Sequence, residues 1–265
     1  MTTSLSCSDS FLEQYLTQDS STDLILPCKD KVITRRYWAR IQEVLDYVEK
    51  RAAGCVRVLE VGPGLAYFKL ATHFVDNMQA EVNANINVTV ADVTKDRLPF
   101  EDKYFDFVYC RHTLEDLLNP MHAFQEMVRV AKRGYFETPS PLVELCHNVD
   151  GRCDSMSPSR YKGYMHHHFI VYEKDNVLHF LPKMPLVEHL SPYIEDKMAH
   201  LANNFPLYWN TYYHWDDESK PAAFVLDKMD NKCNETFTRS YNELLRTAVL
   251  DGLKSTNKQL DLMMK

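Results

Sequence analysis

From Val58 to Asp76 the chain reads VLEVGPGLAYFKLATHFVD, an apolar run that enters Gly62-Pro63-Gly64 and a second apolar run that ends on an acid. This pattern constrains the fold more than any other in the chain. The first run reads as a buried strand, and the two glycines behind it supply a tight turn where a ligand could approach the backbone closely. In an open parallel sheet, ligands bind beyond the carboxyl ends of the strands, close to the point where strand order reverses. The stretch is therefore either a nucleotide-cradling turn or a plain strand followed by a plain turn, and its surroundings have to decide.

Those surroundings alternate. VRVLEV, THFVD, INVTVAD, FDFVYC and RGYFETP read in order as five strands. Between the last two lies NPMHAFQEMVRVAKR, where Pro120 suits a first helical turn and Met121, Phe124, Met127, Val128 and Ala131 share one face. Upstream, TRRYWARIQEVLDYVEKRAAG places Tyr37, Trp38, Ile41, Val44, Leu45 and Val48 at helical spacing before a stop at Gly54. Strands alternating with helices predict an α/β, doubly wound, mostly parallel sheet covered on both faces.

After Pro141 the rhythm changes. HHFIVYEKDNVLHFLP predicts a β-hairpin around EKDN, and YNELLRTAVLDGLKSTNKQLDLMM predicts a closing helix. This half is expected to complete the sheet with antiparallel edge strands, not to form a second domain. Residues 1–34 are expected to form an N-terminal arm laid over the core, Ser/Thr/Asp-rich to about residue 30 with one short apolar patch. Residues 35–265 then form one domain, with a cofactor part over 56–140 and a C-terminal elaboration over 141–265.

Composition narrows the function classes. A chain of 265 residues with 45% hydrophobic and 12% aromatic residues is globular, and a net charge of −7 argues against general nucleic-acid binding. The N-terminus has no basic and then apolar leader, and no apolar run is long enough to span a bilayer, so a soluble cytoplasmic protein is expected. The seven cysteines are scattered without a CxxC pair, so neither a disulfide framework nor a zinc site is indicated. Cys146, His147 and Cys153 lie close in sequence but lack four-ligand spacing, and no metal is expected.

The glycine spacing bears on which cofactor the turn would hold. A dinucleotide fingerprint needs a third small residue in G-x-G-x-x-G, and Tyr67 occupies that place. This disfavours NAD and FAD. Asp76, closing the next strand, remains suited to ribose hydroxyls.

With VLEVGPG followed in order by ADVTKDRLPFEDKYFDFVYCRHTLEDLLNP, the chain resembles the class I S-adenosylmethionine-dependent methyltransferases, whose fold is Rossmann-like. YFKLATHFVD, with its short step from Gly64 to Asp76, is similar to a compact branch of that family and leaves room for only a short helix. The resemblance covers roughly residues 56–140. It implies that Glu60 anchors the amino-acid end of S-adenosyl-L-methionine while Gly62 and Gly64 let it pass. It further implies that Asp76 takes the ribose hydroxyls and Asp92 the adenine amino group, that the Val93 N–H meets the ring, and that Cys110, Arg111 and His112 wall the methionine side. The implied activity is methyl transfer to an acceptor, expected to be a small molecule. The alternative is a binding or scaffold protein that keeps the fold without turnover.

Methyl transfer needs a base only when the acceptor arrives protonated. Candidates are His112, beyond the fourth strand, and His166 and His168, which share a face if their segment is extended while His167 points away. Glu115 and Asp116 read as solvated or capping residues. The cluster FPLYWNTYYHWDD, Phe205 to Asp217, could wall an apolar pocket or bury area against the sheet, burial being the commoner use.

Overall fold

The computed structural model describes residues 8–17, 41–64, 67–78, 86–147, 149, 161–228 and 235–263. Its centre is a sheet of six strands. β1 (Val58–Val61), β2 (His73–Asp76), β3 (Val88–Val90), β4 (Phe107–Arg111) and β5 (Arg133–Pro139) run parallel in the order β3-β2-β1-β4-β5. β8 (Asn210–Asp216) closes the edge antiparallel to β5, with Glu137 opposite Tyr212.

The two-residue alternation of the strands sorts their side chains onto two covered faces. Val58, Phe107, Tyr109, Tyr135 and Tyr212 pack with Val44, Val48 and Ala52 of helix α2 (Gln42–Ala52). Leu59, Val61, Val108, Cys110, Phe136, Tyr213 and Trp215 pack on the other face with Phe124, Met127 and Val130 of α3 (Pro120–Val130). Each such large apolar side chain contributes about 1.5–3 kcal/mol when fully buried. The expected doubly wound sheet is the observed one.

Helix boundaries follow local chemistry. α2 ends at Ala52 with Gly54 in the left-handed region at φ +78°, the place where a residue without Cβ costs least. The residues expected to begin this helix, Tyr37 and Trp38, lie outside the described residues. α3 carries Pro120 in its first turn, and the Asn119 side chain accepts from the His122 N–H at 3.3 Å.

The hairpin is present: β6 (Phe169–Lys174) and β7 (Val177–Pro182) pair antiparallel, joined by Asp175 and Asn176 at φ +51° and +66°. Two successive positive φ values match the right-handed twist of the flanking strands. It does not extend the central sheet as expected. It forms a separate three-stranded sheet with β9 (Phe224–Leu226), parallel to β7. The reason is that β6 is buried by packing against β8 and α6 (Glu235–Met263), leaving β8 as the edge partner of β5.

Two further details depart from the sequence reading. Asp9–Thr17 of the presumed arm form a helix, α1, that buries Leu12 and Leu16 among residues of α4 (Pro141–Glu144), α5 (Glu195–Asn204) and α6. Between β1 and β2 the described residues contain no helix, only turns. No helix among the described residues is long and apolar enough to cross a membrane.

Candidate functional site

Strand order reverses between β1 and β4, because β2 and β3 lie on one side of β1 and β5 and β8 lie beyond β4. This is the switch point at which open α/β sheets hold ligands. The glycine turn leaves β1 at that point. Gly62 has φ +70° and Gly64 φ +53°, and the Gly62 N–H donates to the Val75 carbonyl at 3.0 Å. A Cβ on Gly62 would meet Thr113 Oγ1 at 2.2 Å, whereas one on Gly64 would meet nothing within 4 Å. Gly62 is thus required by the backbone and by the loop after β4, while Gly64 has none of the described residues against its Cβ position.

Glu60 is 3% exposed and its Oε2 accepts from the Phe68 N–H at 2.8 Å, which ties the end of β1 to the far side of the turn. Asp76 closes β2, its Oδ1 accepting from the Asn77 N–H at 2.7 Å. After β3, Asp92 Oδ1 accepts from the Thr94 N–H at 3.0 Å and hydroxyl at 2.6 Å, and Oδ2 pairs with Lys95 at 2.9 Å. These contacts, the Thr94 hydroxyl foremost, hold the partly exposed Asp92 carboxylate down to about 2.

The loop carrying Asp92 and Val93 is anchored from α3. His122 Nδ1 lies 3.0 Å from the Val93 carbonyl and must donate, since that oxygen can only accept. Asn119 Nδ2 donates to the Thr94 carbonyl at 3.0 Å. Nothing in the local sequence marks His122 or Asn119 for this task; the signal was only that both open the helix.

At the ends of β4 and β5, Glu137 gathers donors. Its Oε1 accepts from Arg111 Nε at 2.7 Å and Asn210 Nδ2 at 2.8 Å, and its Oε2 from the Tyr135 hydroxyl at 2.6 Å. Burial alone would raise its pKa, but Arg111, His112 and Tyr135 outweigh it and hold the carboxyl down to about 2. Arg111 and Glu137 line a narrow crevice with Ile41, Val44, Asn210 and Tyr212. Most of the aromatic cluster is core: Tyr208, Trp209, Tyr213 and Trp215 are buried in the two apolar clusters, and Tyr212 alone of its tyrosines reaches the crevice.

His112 adopts φ +50°, uncommon for a residue with a Cβ. The turn sets its ring between Glu115 Oε1 at 3.4 Å and Glu137 Oε1 at 3.6 Å. Burial disfavours the imidazolium, but these carboxylates prevail and raise its pKa above the ordinary value.

Of the acids after His112, Glu115 is buried, contrary to the sequence reading, while Asp116 stays partly exposed. Leu114–Asp116 form one turn of 3-10 helix in which Glu115 is 1% exposed. Burial, with the neighbouring Glu115 charge, pushes Asp116 up to about 7. The His triplet precedes β6 and is not strand, though the expected alternation of exposure persists: His166 and His168 are exposed and His167 is buried. His166 Nε2 and His167 Nε2 lie 3.5 and 3.4 Å from Asp116 Oδ1. His168 meets this region through its backbone, its N–H donating to the Glu115 carbonyl at 2.8 Å.

Residues 65–136, from just past the glycine turn to the middle of β5, match the family model for a methyltransferase domain. No curated protein matches the chain. Similar solved structures include a SAM-dependent methyltransferase of Thermotoga maritima, 21% identical over 37% of this chain and 51% of that one with a TM-score of 0.32. Another, of Archaeoglobus fulgidus, is 24% identical over 39% of this chain and 52% of that one, TM-score 0.33. A third, of Mesorhizobium loti, is 18% identical over 41% and 59%, TM-score 0.32. The chain therefore spans little more than half the length of these structures.

A mostly parallel sheet with a glycine turn at its switch point is an α/β arrangement of the kind in which open sheets hold ligands beyond their strand ends. Over the matched segment the chain is similar to methyltransferase domains.

Proposed function

We propose that this chain transfers a methyl group from S-adenosyl-L-methionine to a small-molecule acceptor. The observation that carries the reading is the Gly62–Gly64 turn at the β1/β4 switch point, pressed against Thr113 on one side and open at Gly64 on the other. Acids stand where an elongated ligand with a hydroxylated sugar and an amine-bearing base would need them, Asp76 at the end of β2 and Asp92 just after β3.

The residues fit the cofactor. Gly62 and Gly64 let it approach the backbone, and Glu60, fixed by Phe68, supplies a rigid anion for its amino-acid end. Asp76 would take the ribose hydroxyls, and Asp92 with the Val93 N–H would take the adenine edge. Arg111 and His112 wall the methionine side, their positions set by Glu137. When bound, the cofactor supplies the electrophilic methyl group and its own leaving group. The protein then contributes orientation and exclusion of water more than covalent chemistry.

A protonated acceptor would need a base, and His112 is the group placed for it: an imidazole at the end of β4 held between two carboxylates. The acidic balance of the chain favours a small acceptor over a nucleic acid. Calorimetry with S-adenosylmethionine and S-adenosylhomocysteine tests the reading. Micromolar affinity for both is expected; no heat with either would leave a scaffold that retains the fold without its cofactor.

A further inference from the structure

The His triplet and the acids after β4 meet in a cluster that methyl transfer does not require. Asp116, His166 and His167 each direct a ligand-type atom to one locus, all within 4.8 Å of one another. The spacings within the cluster are informative. Asp116 Oδ1 lies 3.5 Å from His166 Nε2 and 3.4 Å from His167 Nε2, too long for N–H···O hydrogen bonds, which fall at 2.7–3.2 Å. A tetrahedral centre with bonds of about 2.0–2.15 Å separates its ligand atoms by about 3.3–3.5 Å.

The surroundings of His167 match what a ligating imidazole needs. Its Nδ1 lies 2.6 Å from Glu144 Oε1, and the other Glu144 oxygen accepts from Lys183 Nζ at 2.6 Å. The carboxylate thereby keeps the proton on Nδ1 and turns Nε2 toward Asp116, the arrangement by which carboxylates orient metal-bound histidines. With Nδ1 donating, the lone pair of Nε2 faces the Asp116 oxygen, where a cation or a shared proton can sit.

Charge points the same way. Glu115 is 1% exposed, its Oε2 has no hydrogen-bond partner among the described residues, and Oε1 reaches His112 only at 3.4 Å. A buried carboxylate beside a second one is costly unless positive charge lies near. His166 and Asp116 are partly exposed, with 41% and 37% of their side chains accessible, so an ion could enter from solvent.

We propose that Asp116, His166 and His167 form a binding site for a divalent first-row transition metal, with Glu144 as the positioning residue for His167 and a remaining coordination place taken by water. Two imidazoles and one carboxylate are the ligand set such ions favour over calcium or magnesium. The site lies three residues beyond Thr113, at the carboxyl edge of the sheet. It stands independently of the cofactor assignment.

The test uses the full chain stripped with a chelator and titrated with Zn²⁺ by calorimetry and with Co²⁺ by visible absorption. Expected are one ion per chain at micromolar affinity or better and the absorption of a four-coordinate Co²⁺ centre. His166→Ala, at an exposed position outside the packed core, should weaken binding at least 100-fold and erase the Co²⁺ spectrum, as should Asp116→Ala. Glu144→Gln should weaken it roughly 10- to 100-fold. His189→Ala removes an exposed histidine elsewhere and should change nothing. Failure of the wild-type chain to take up either ion stoichiometrically, or wild-type binding in both His166→Ala and Asp116→Ala with folding verified by circular dichroism, would overturn the proposal.

Discussion

Gly62 and Thr113 touch so closely that a single added methyl group on the glycine would overlap the threonine hydroxyl, at 2.2 Å. That contact joins the turn after β1 to the loop after β4 at the switch point. Gly62→Ala combines two costs, about 1–2 kcal/mol for a left-handed non-glycine residue and about 1–3 kcal/mol for overpacking. Thermal unfolding should show a loss of roughly 2–5 kcal/mol. The double variant with Thr113→Ala should regain only the steric part; simple additivity would show that the two residues do not share this contact.

In the proposed site Asp76, at the end of β2, takes the ribose hydroxyls. Asp76→Ala should weaken S-adenosylmethionine binding by roughly 1.5–3 kcal/mol, the range for hydrogen bonds to a charged group. Unchanged calorimetric affinity would remove Asp76 from the site.

His122 holds the loop of Asp92 and Val93, the adenine side of the proposed site, from behind. Without its hydrogen bond to the Val93 carbonyl, the loop is held by Asn119 and by its own turn. His122→Ala should lower cofactor affinity by about 0.5–1.5 kcal/mol while leaving the rate at saturating cofactor near wild type. A fall in that rate with unaltered affinity would contradict the anchoring role.

Glu137 makes stability depend on acid. Its carboxyl is depressed from 4.5 to about 2, so the unfolded chain binds its proton more readily than the folded one. The stabilisation is complete above about pH 4.5 and is lost as pH falls toward 2, on the order of 3 kcal/mol. Denaturant titrations from pH 6 down to pH 2 should show this slope. Glu137→Gln should flatten it by about one proton and cost about 3–5 kcal/mol at neutral pH, because Arg111 keeps its charge without its partner. An unaltered acid slope in the variant would assign the effect to other carboxylates.

The absent third small residue at Tyr67 makes a further prediction. NADH should give no saturable fluorescence energy transfer from the protein, and micromolar binding would reverse the choice of cofactor.

Much of this was legible in order along the chain. The five parallel strands, the helix opened by Pro120, the hairpin turned at Asp175-Asn176 and the glycine turn after β1 all rest on interactions between residues a few positions apart, where side-chain periodicity and backbone preference speak directly. The hairpin's sheet was misplaced because pairing partners are chosen by packing, and the burial of β6 against α6 and β8 has no local signature. Glu115 looked like a surface acid for the same reason: the chain that covers it returns some fifty residues later, at the His triplet, where the His168 N–H donates to its carbonyl.

Sequence alone thus determined the fold class and the turn, because periodicity and glycine conformation are properties of neighbouring residues. Tertiary structure decided which side chains share a site. Arg111 meets Glu137 across 26 residues, Asn210 meets it across 73, and Glu144 meets His167 across 23. Such pairings exist only once the sheet has brought the ends of its strands together, since the charge on each group says what partner it needs but not where the chain will supply it.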